Sequence, residues 1–175
     1  METLKGNLIY LRALEPSDLD FVHGLENDEE VWKLSNTVKP FSRFIIEKYL
    51  KNSHRDIYEI KQLRLVISKN DTDEAIGLID IFDCDFKNKR AGIGILIKNS
   101  HDRNKGFGKE SLKLLANYCN THLDLHQLYC NISEENKQSL KMFKSEKFEI
   151  IGLKKDWNYI EGKFVNEFSL QRILT

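Results

Sequence analysis

The sequence predicts an α+β fold: a mixed, mostly antiparallel sheet of about seven strands flanked by about four helices. Three observations predict it. Apolar runs at 63–67, 75–82 and 91–97 follow one another across short polar turns, as in an antiparallel meander. After Gly106 the apolar residues switch to helical spacing, and from Leu128 they switch back. Two further strand-like runs near the end flank Glu161-Gly162, a favourable hairpin pair.

The elements follow in order. Asn7 to Leu14 alternates apolar residues and reads as a first strand. Pro16 suits the first turn of a helix, so Ser17 to Glu26 is expected to be helical. Asn27 to Lys39 is acidic, then rich in Ser, Asn and Thr, and is the least regular part of the first half. Phe44, Ile45, Tyr49 and Leu50 place a second helix at 41–52. Leu63 to Ile67, Ala75 to Phe82 and Ala91 to Ile97 are the three meander strands, with turns at Asp71-Thr72-Asp73 and Asn88-Lys89. Leu112, Leu115, Ala116, Cys119 and Leu123 define a long helix that starts near Gly106. Leu128 to Ile132 is a strand, Asn136 to Ser145 a short helix, and Phe148 to Leu153 and Phe164 to Leu170 the closing hairpin.

Composition narrows the function. The chain has 175 residues, with no linker, low-complexity tract or internal repeat, so 1–175 reads as one domain. Lys+Arg and Asp+Glu are both 27, and this balance argues against an indiscriminate nucleic-acid binder. No apolar run approaches the roughly 18–20 residues that cross a bilayer, so no membrane partner is expected. Met1 to Lys5 lacks a basic-then-apolar leader, and Cys84, Cys119 and Cys130 read as reduced thiols, so the expected setting is cytoplasmic. No cysteine pair has zinc spacing and the five histidines are scattered, so no metal is expected.

The chemistry begins at Arg103-Asn104-Lys105-Gly106-Phe107-Gly108, between a strand and the long helix. Glycines let the chain turn sharply and aim several backbone N–H groups at one place. The first N–H groups of a helix have no internal partner and lie at its partly positive end. A pyrophosphate satisfies those donors, and Arg103 and Lys105 add charge.

Arg-x-x-Gly-x-Gly between a strand and an amphipathic helix resembles the acetyl-CoA signature of the GNAT superfamily. Downstream, Asn136-Lys137-Gln138-Ser139 and then Phe143, Lys144 and Phe148 resemble that family's second cofactor segment, Asn-x-x-Ser/Ala-x-x-x-Tyr/Phe running on to Gly-Phe. The likeness runs from Leu8 to the terminal strand. Within the superfamily it is closest in look to the ribosomal-protein N-terminal acetyltransferases and the bacterial spermidine (diamine) acetyltransferases. The resemblance implies a single-domain GNAT fold with a splayed central strand pair. It implies acetyl-CoA as co-substrate, held by Leu96, Ile97, Lys98, the turn from Arg103 to Gly108, Asn136, Ser139, Phe143 and Lys144. Asn136 is equally a helix N-cap.

Amine acetylation needs a neutral amine, a polarised thioester carbonyl and a proton for the departing thiolate. Many family members use a Tyr where this chain has Phe143, which has no proton to give. Ser139, one helical turn earlier, is the catalytic candidate by resemblance; its other role is a small residue for close packing. Relatives often carry Glu where Gly92 stands here, so that base is missing as well. Asp80 lies in an apolar strand, where an ionised carboxylate needs a partner. It is either a catalytic or amine-holding acid or one half of a salt bridge. Asp83 and Asp156 are further acids at the acceptor side by resemblance. Glu29, in an acidic run, and Trp32 belong to the segment that walls the acceptor site in this fold. The acceptor is a small diamine or polyamine such as spermidine, or alternatively a protein N-terminus of the ribosomal type. A non-catalytic acyl-CoA-binding regulatory module is the third reading. A homo-oligomer is a family expectation only.

Overall fold

The computed structural model describes residues 2–35 and 37–174. Seven strands form one sheet: β1 (Ile9–Ala13), β2 (Leu63–Lys69), β3 (Ala75–Asp85), β4 (Arg90–Ile97), β5 (Gln127–Ser133), β6 (Glu149–Ile160) and β7 (Lys163–Ile173), in the order β1-β2-β3-β4-β5-β7-β6. Every neighbouring pair is antiparallel except β4–β5, which is parallel. Six helices accompany them: α1 (Leu19–Glu26), α2 (Glu29–Ser35), α3 (Arg43–Lys51), α4 (Ile57–Ile60), α5 (Phe107–Thr121) and α6 (Lys137–Ser145).

Two cores result from the two-residue period of the strands. On one face Val66 and Leu78 meet Val22 and Leu25 of α1, Val31 of α2, and Ile46 and Leu50 of α3. On the other, the alternate residues Leu65, Ile67, Ile79, Ile81 and Ile93 meet Leu112, Leu115, Ala116 and Cys119 of α5, with Leu140 and Phe143 of α6. The first face carries α1, α2 and α3, and the second carries α5 and α6, which frame the glycine turn.

The segment read as irregular contains α2. Asp28 Oδ1 accepts from Glu30 N–H (3.0 Å), Glu29 and Glu30 occupy its first turn, and Trp32 Nε1 donates to Glu26 O (2.7 Å). Only Val31 is buried among its first residues, too few points for a visible helical period. Helix α4 is a single turn held by Asp56, whose carboxylate accepts from Tyr58 N–H. The last hairpin runs longer than its alternation suggests, because β6 slips register between Ile150 and Gly152 and again between Lys154 and Asn158. A bulge breaks the period-two signal and extends the strand at the same time.

Helix α6 ends in a Schellman motif. Phe148 N–H donates to Phe143 O and Lys147 N–H to Lys144 O, both at 3.1 Å, and the Phe143 and Phe148 rings meet edge to face at 5.0 Å. The left-handed residue is Lys147 (φ 65°), standing where the resembled pattern has Gly. Lys147→Gly is expected to raise stability by about 1 kcal/mol by removing that strain, less a part returned to unfolded-chain entropy. Urea unfolding checks it: the midpoint should rise with an unchanged slope.

Candidate active site

The β4–β5 ladder comprises only Arg90↔Gln127, Ala91↔Leu128 and Gly92↔Tyr129. Beyond Gly92 the strands part, and the gap opens into two adjoining cavities. The smaller, ≈ 120 Å³, is lined by β4, the turn after it, Gly108 and the start of α6. The larger, ≈ 420 Å³, spreads over the sheet face below α1 and α2 and is lined on both banks of the gap. Ile95, Leu96, Asn136 and Ser139 line both.

The smaller cavity is built from the glycine turn. Gly106 has φ 89° and N-caps α5, leaving the first amides of that helix facing outward. Gly108 serves a different need: a Cβ there would lie 2.7 Å from Met142 Sδ, so it lets α6 approach α5. Asn104 (φ 62°) accepts from Gln138 Nε2 (2.8 Å), tying the turn to α6. Arg103 donates to Ile97 O at 3.3 Å and lies back across the end of β4 while lining the cavity. Lys105 is exposed, and Phe107 is half-buried beneath Lys69 Nζ, 5.8 Å from its ring. Behind the turn the buried Asp102 meets Lys69 Nζ at 2.9 Å. Burial works against that carboxylate's charge, but Lys69 outweighs it and holds the group below its ordinary range.

Ser139 sits at the junction of the two cavities. Its N–H donates to Asn136 Oδ1 (3.1 Å), so Asn136 caps α6 while lining the gap. Phe143 lines the larger cavity, and Lys144 is exposed and lines neither. Lys98 Nζ stands 5.3 Å over the Phe21 ring and also lies outside the two linings.

The larger cavity contains the charged groups. Asp80 is gripped by Arg64, whose Nε and Nη2 donate to its two oxygens at 2.7 and 3.0 Å, while Nη1 donates to Glu26 at 2.7 Å. Burial opposes the Arg64 charge, yet Asp80, Tyr49 and Glu26 together hold its pKa above the ordinary arginine value. The salt-bridge reading of Asp80 is therefore realised, and the triad retains one net negative charge, two carboxylates against one guanidinium. Across the gap Glu167 lines the same cavity, taking Lys154 Nζ at 2.9 Å and Asn158 Nδ2 at 3.0 Å. Cys130 is also in the lining, but burial pushes its thiol up to about 12, far from a nucleophilic thiolate at neutral pH.

The other expected acceptor-side residues fall outside. Asp83 (φ 48°) and Asp156 (φ 49°) occupy strand bulges, exposed and away from both linings. Glu29 points to solvent from the first turn of α2, and Trp32 anchors that helix to Glu26 O without lining the cavity. Arg64 and Glu167 were not among the residues the sequence singled out, and Glu26 entered only as the first residue of the acidic run that ends at Glu30. Arg64 did leave a trace, as the one charge inside Leu63-Arg64-Leu65 in a strand adjacent to that of Asp80. Gly92 lacks a side chain for a reason: a Cβ there would stand 2.3 Å from the Phe82 ring, which fills that volume.

Among the described residues no helix is long and apolar enough to cross a membrane, and no group of three or more His, Cys, Asp or Glu is placed to hold a metal. The glycine turn, the capped α6 and the parted parallel strands define an acyl-CoA-dependent acyltransferase site. Residues 9–149 match the acetyltransferase (GNAT) domain family, and the chain belongs to it. It is an acyl-CoA-dependent N-acetyltransferase that uses acetyl-CoA. An uncharacterised N-acetyltransferase, p20, from Bacillus licheniformis is 30% identical over 96% of this chain and 94% of its own length. Spermidine N(1)-acetyltransferase from Vibrio cholerae is 27% identical over 89% of this chain and 84% of its own. A crystal structure of the Vibrio cholerae spermidine enzyme with CoA and spermine superposes with a TM-score of 0.84 at 23% identity, over 95% of each chain. A dodecameric structure of that enzyme has a TM-score of 0.78 at 24% identity, over 95% of this chain and 94% of its own. At these identities the structural likeness concerns the fold.

Proposed function

We propose that residues 1–175 form one domain that acetylates a primary amine of a small diamine or polyamine such as spermidine. The observation that carries this reading is the ≈ 420 Å³ cavity, which joins the β4–β5 gap and bears carboxylates on both banks, Glu26 and Asp80 on one and Glu167 on the other. Its size suits a small molecule. The surplus negative charge of the Glu26–Arg64–Asp80 triad holds a distal ammonium, while the reacting amine lies at the gap beside Ser139. The resemblance to spermidine acetyltransferases points the same way.

In this reading the phosphates of acetyl-CoA rest on the outward amides of α5 between Gly106 and Gly108, with Arg103 and Lys105 beside them. The pantetheine arm follows β4 along Leu96 and Ile97, and Asn136, Ser139 and Phe143 flank it from α6. Freed backbone N–H groups of β4 polarise the thioester carbonyl. Ser139 Oγ, with no hydrogen-bond partner among the described residues, supplies the proton to the departing thiolate. Asp80, fixed by Arg64, is an amine-holding group rather than a mobile base.

The test is thiol release from acetyl-CoA with spermidine, spermine and putrescine beside peptides bearing free N-termini. Release with the polyamines and not the peptides is expected. Release with peptides alone would establish the protein N-terminus as acceptor, the reading favoured by Ser139 paired with Phe143. The exposed Trp157, Tyr159 and Phe164 of the last hairpin support a homo-oligomer. The three unpaired, buried cysteines fit a cytoplasmic setting.

A further inference from the structure

We propose that Glu167 is the carboxylate that takes the proton of the acceptor amine. The inference rests on acetyl transfer to an amine and not on which amine is used. Three observations carry it.

The first is an exclusion. Gly92 carries no carboxylate, and Phe82 fills the space a side chain there would enter, with ring atoms 2.3, 2.6 and 2.7 Å from a Cβ. The reacting end of the cavity is instead walled by that ring, which lies edge-on to Tyr129 with centroids 6.4 Å apart. The second concerns the other acids of the cavity. Both oxygens of Asp80 are bridged by one guanidinium and Glu26 shares that cation, whereas Glu167 gives one oxygen to Lys154 and the other to the neutral Asn158.

The third is the position of Glu167. It lies on β7, opposite Ser133 of β5, the strand that borders the gap, and both residues line the cavity. Its side chain is only 12% exposed. Lys154 and Asn158 each bond one of its oxygens, which fixes the carboxylate and leaves further lone pairs on each oxygen. Lys154 also bonds Asn131 Oδ1, so the support extends to β5 itself.

The step balances. The acceptor arrives as an ammonium, and one N–H proton passes to a Glu167 oxygen, directly or through one water. The freed lone pair attacks the thioester carbonyl carbon. The C–S bond then breaks with its electron pair leaving on sulfur; Ser139 Oγ gives the thiolate its proton and takes the nitrogen's second proton in return. Glu167 returns its proton to solvent at the cavity mouth. The products are the amide, the coenzyme A thiol and one proton.

The test compares wild type with Glu167→Gln and Glu167→Asp, using whichever polyamine or peptide wild type acetylates best. Rates are measured from about pH 6 to about pH 10, where a general base shows its profile. Acetyl-CoA affinity and the melting temperature are measured alongside. Gln keeps an oxygen for Lys154 and turns its amide N–H toward Asn158, whose own amide can flip to accept it, so both controls should hold while kcat falls about 100-fold with KM nearly unchanged. The rate of the Gln variant should climb with pH without the wild-type plateau, and Asp should restore part of the loss. A Gln variant within a few-fold of wild-type kcat, or one whose rate falls only together with affinity and melting temperature, would overturn the assignment. Because the acceptor is chosen by wild-type activity, a failed polyamine panel leaves this result separately readable.

Discussion

Gly106→Glu is expected to weaken acetyl-CoA binding by at least about 100-fold, roughly 2.7 kcal/mol, while the chain remains folded. Gly106 N-caps α5 at φ 89°, so the amides that follow it face outward from the turn. A glutamate there adds bulk and a negative charge where phosphate oxygens would lie. It also imposes left-handed strain of roughly 1–2 kcal/mol, which a 175-residue domain tolerates. Among the described residues Leu8 Cδ1, 3.3 Å from the added Cβ, is the only close neighbour, and it can yield. Gly106→Ala separates the two effects, because it carries the same strain without the charge. Titration calorimetry with acetyl-CoA should show most of the affinity kept by Ala and lost by Glu. If Glu binds as wild type does, the phosphates lie elsewhere.

The geometry of that turn was legible because it is local. A left-handed glycine, a helix start and two basic residues are consecutive in the chain and need no tertiary information. The same holds for Asn136, whose cap bond to Ser139 spans three residues. The acceptor side is of another kind. Arg64 and Asp80 meet because β2 and β3 pair in a register that places them opposite each other, and Glu26 joins them from a helix 38 residues earlier. Glu167 reaches the same cavity only because β7 inserts between β5 and β6. Periodicity supplies the faces of strands but not their order, so Asp83, Asp156 and Glu29 were singled out while nothing set Glu167 apart, and Glu26 read like Glu29 in one acidic run. Backbone geometry then separated them, with Asp83 and Asp156 carried out of the strand face by left-handed bulges.

The largest stability effect is expected from a glycine that carries no motif. Gly77 lies in β3 opposite Ile97, and a Cβ there would stand 2.3 Å from Leu96 O. The obstacle is backbone, so no side-chain rotation relieves it, and Ile97 Cδ1 and Ile67 Cδ1 close the site at 3.1 and 3.2 Å. Gly77→Ala must therefore push the end of β4 away from β3 or lose ladder bonds, costing about 3 kcal/mol. Leu96 lines both cavities and Arg103 is held by Ile97 O, so the displaced strand end should carry the cofactor turn with it. Gly152→Ala is the matched control, since nothing lies within 4 Å of a Cβ there. Urea unfolding should show a lowered midpoint for Gly77→Ala and none for Gly152→Ala, with acetyl-CoA affinity reduced in the first alone. A Gly77→Ala protein as stable as wild type would mean that β3 and β4 are not held as closely as this register requires.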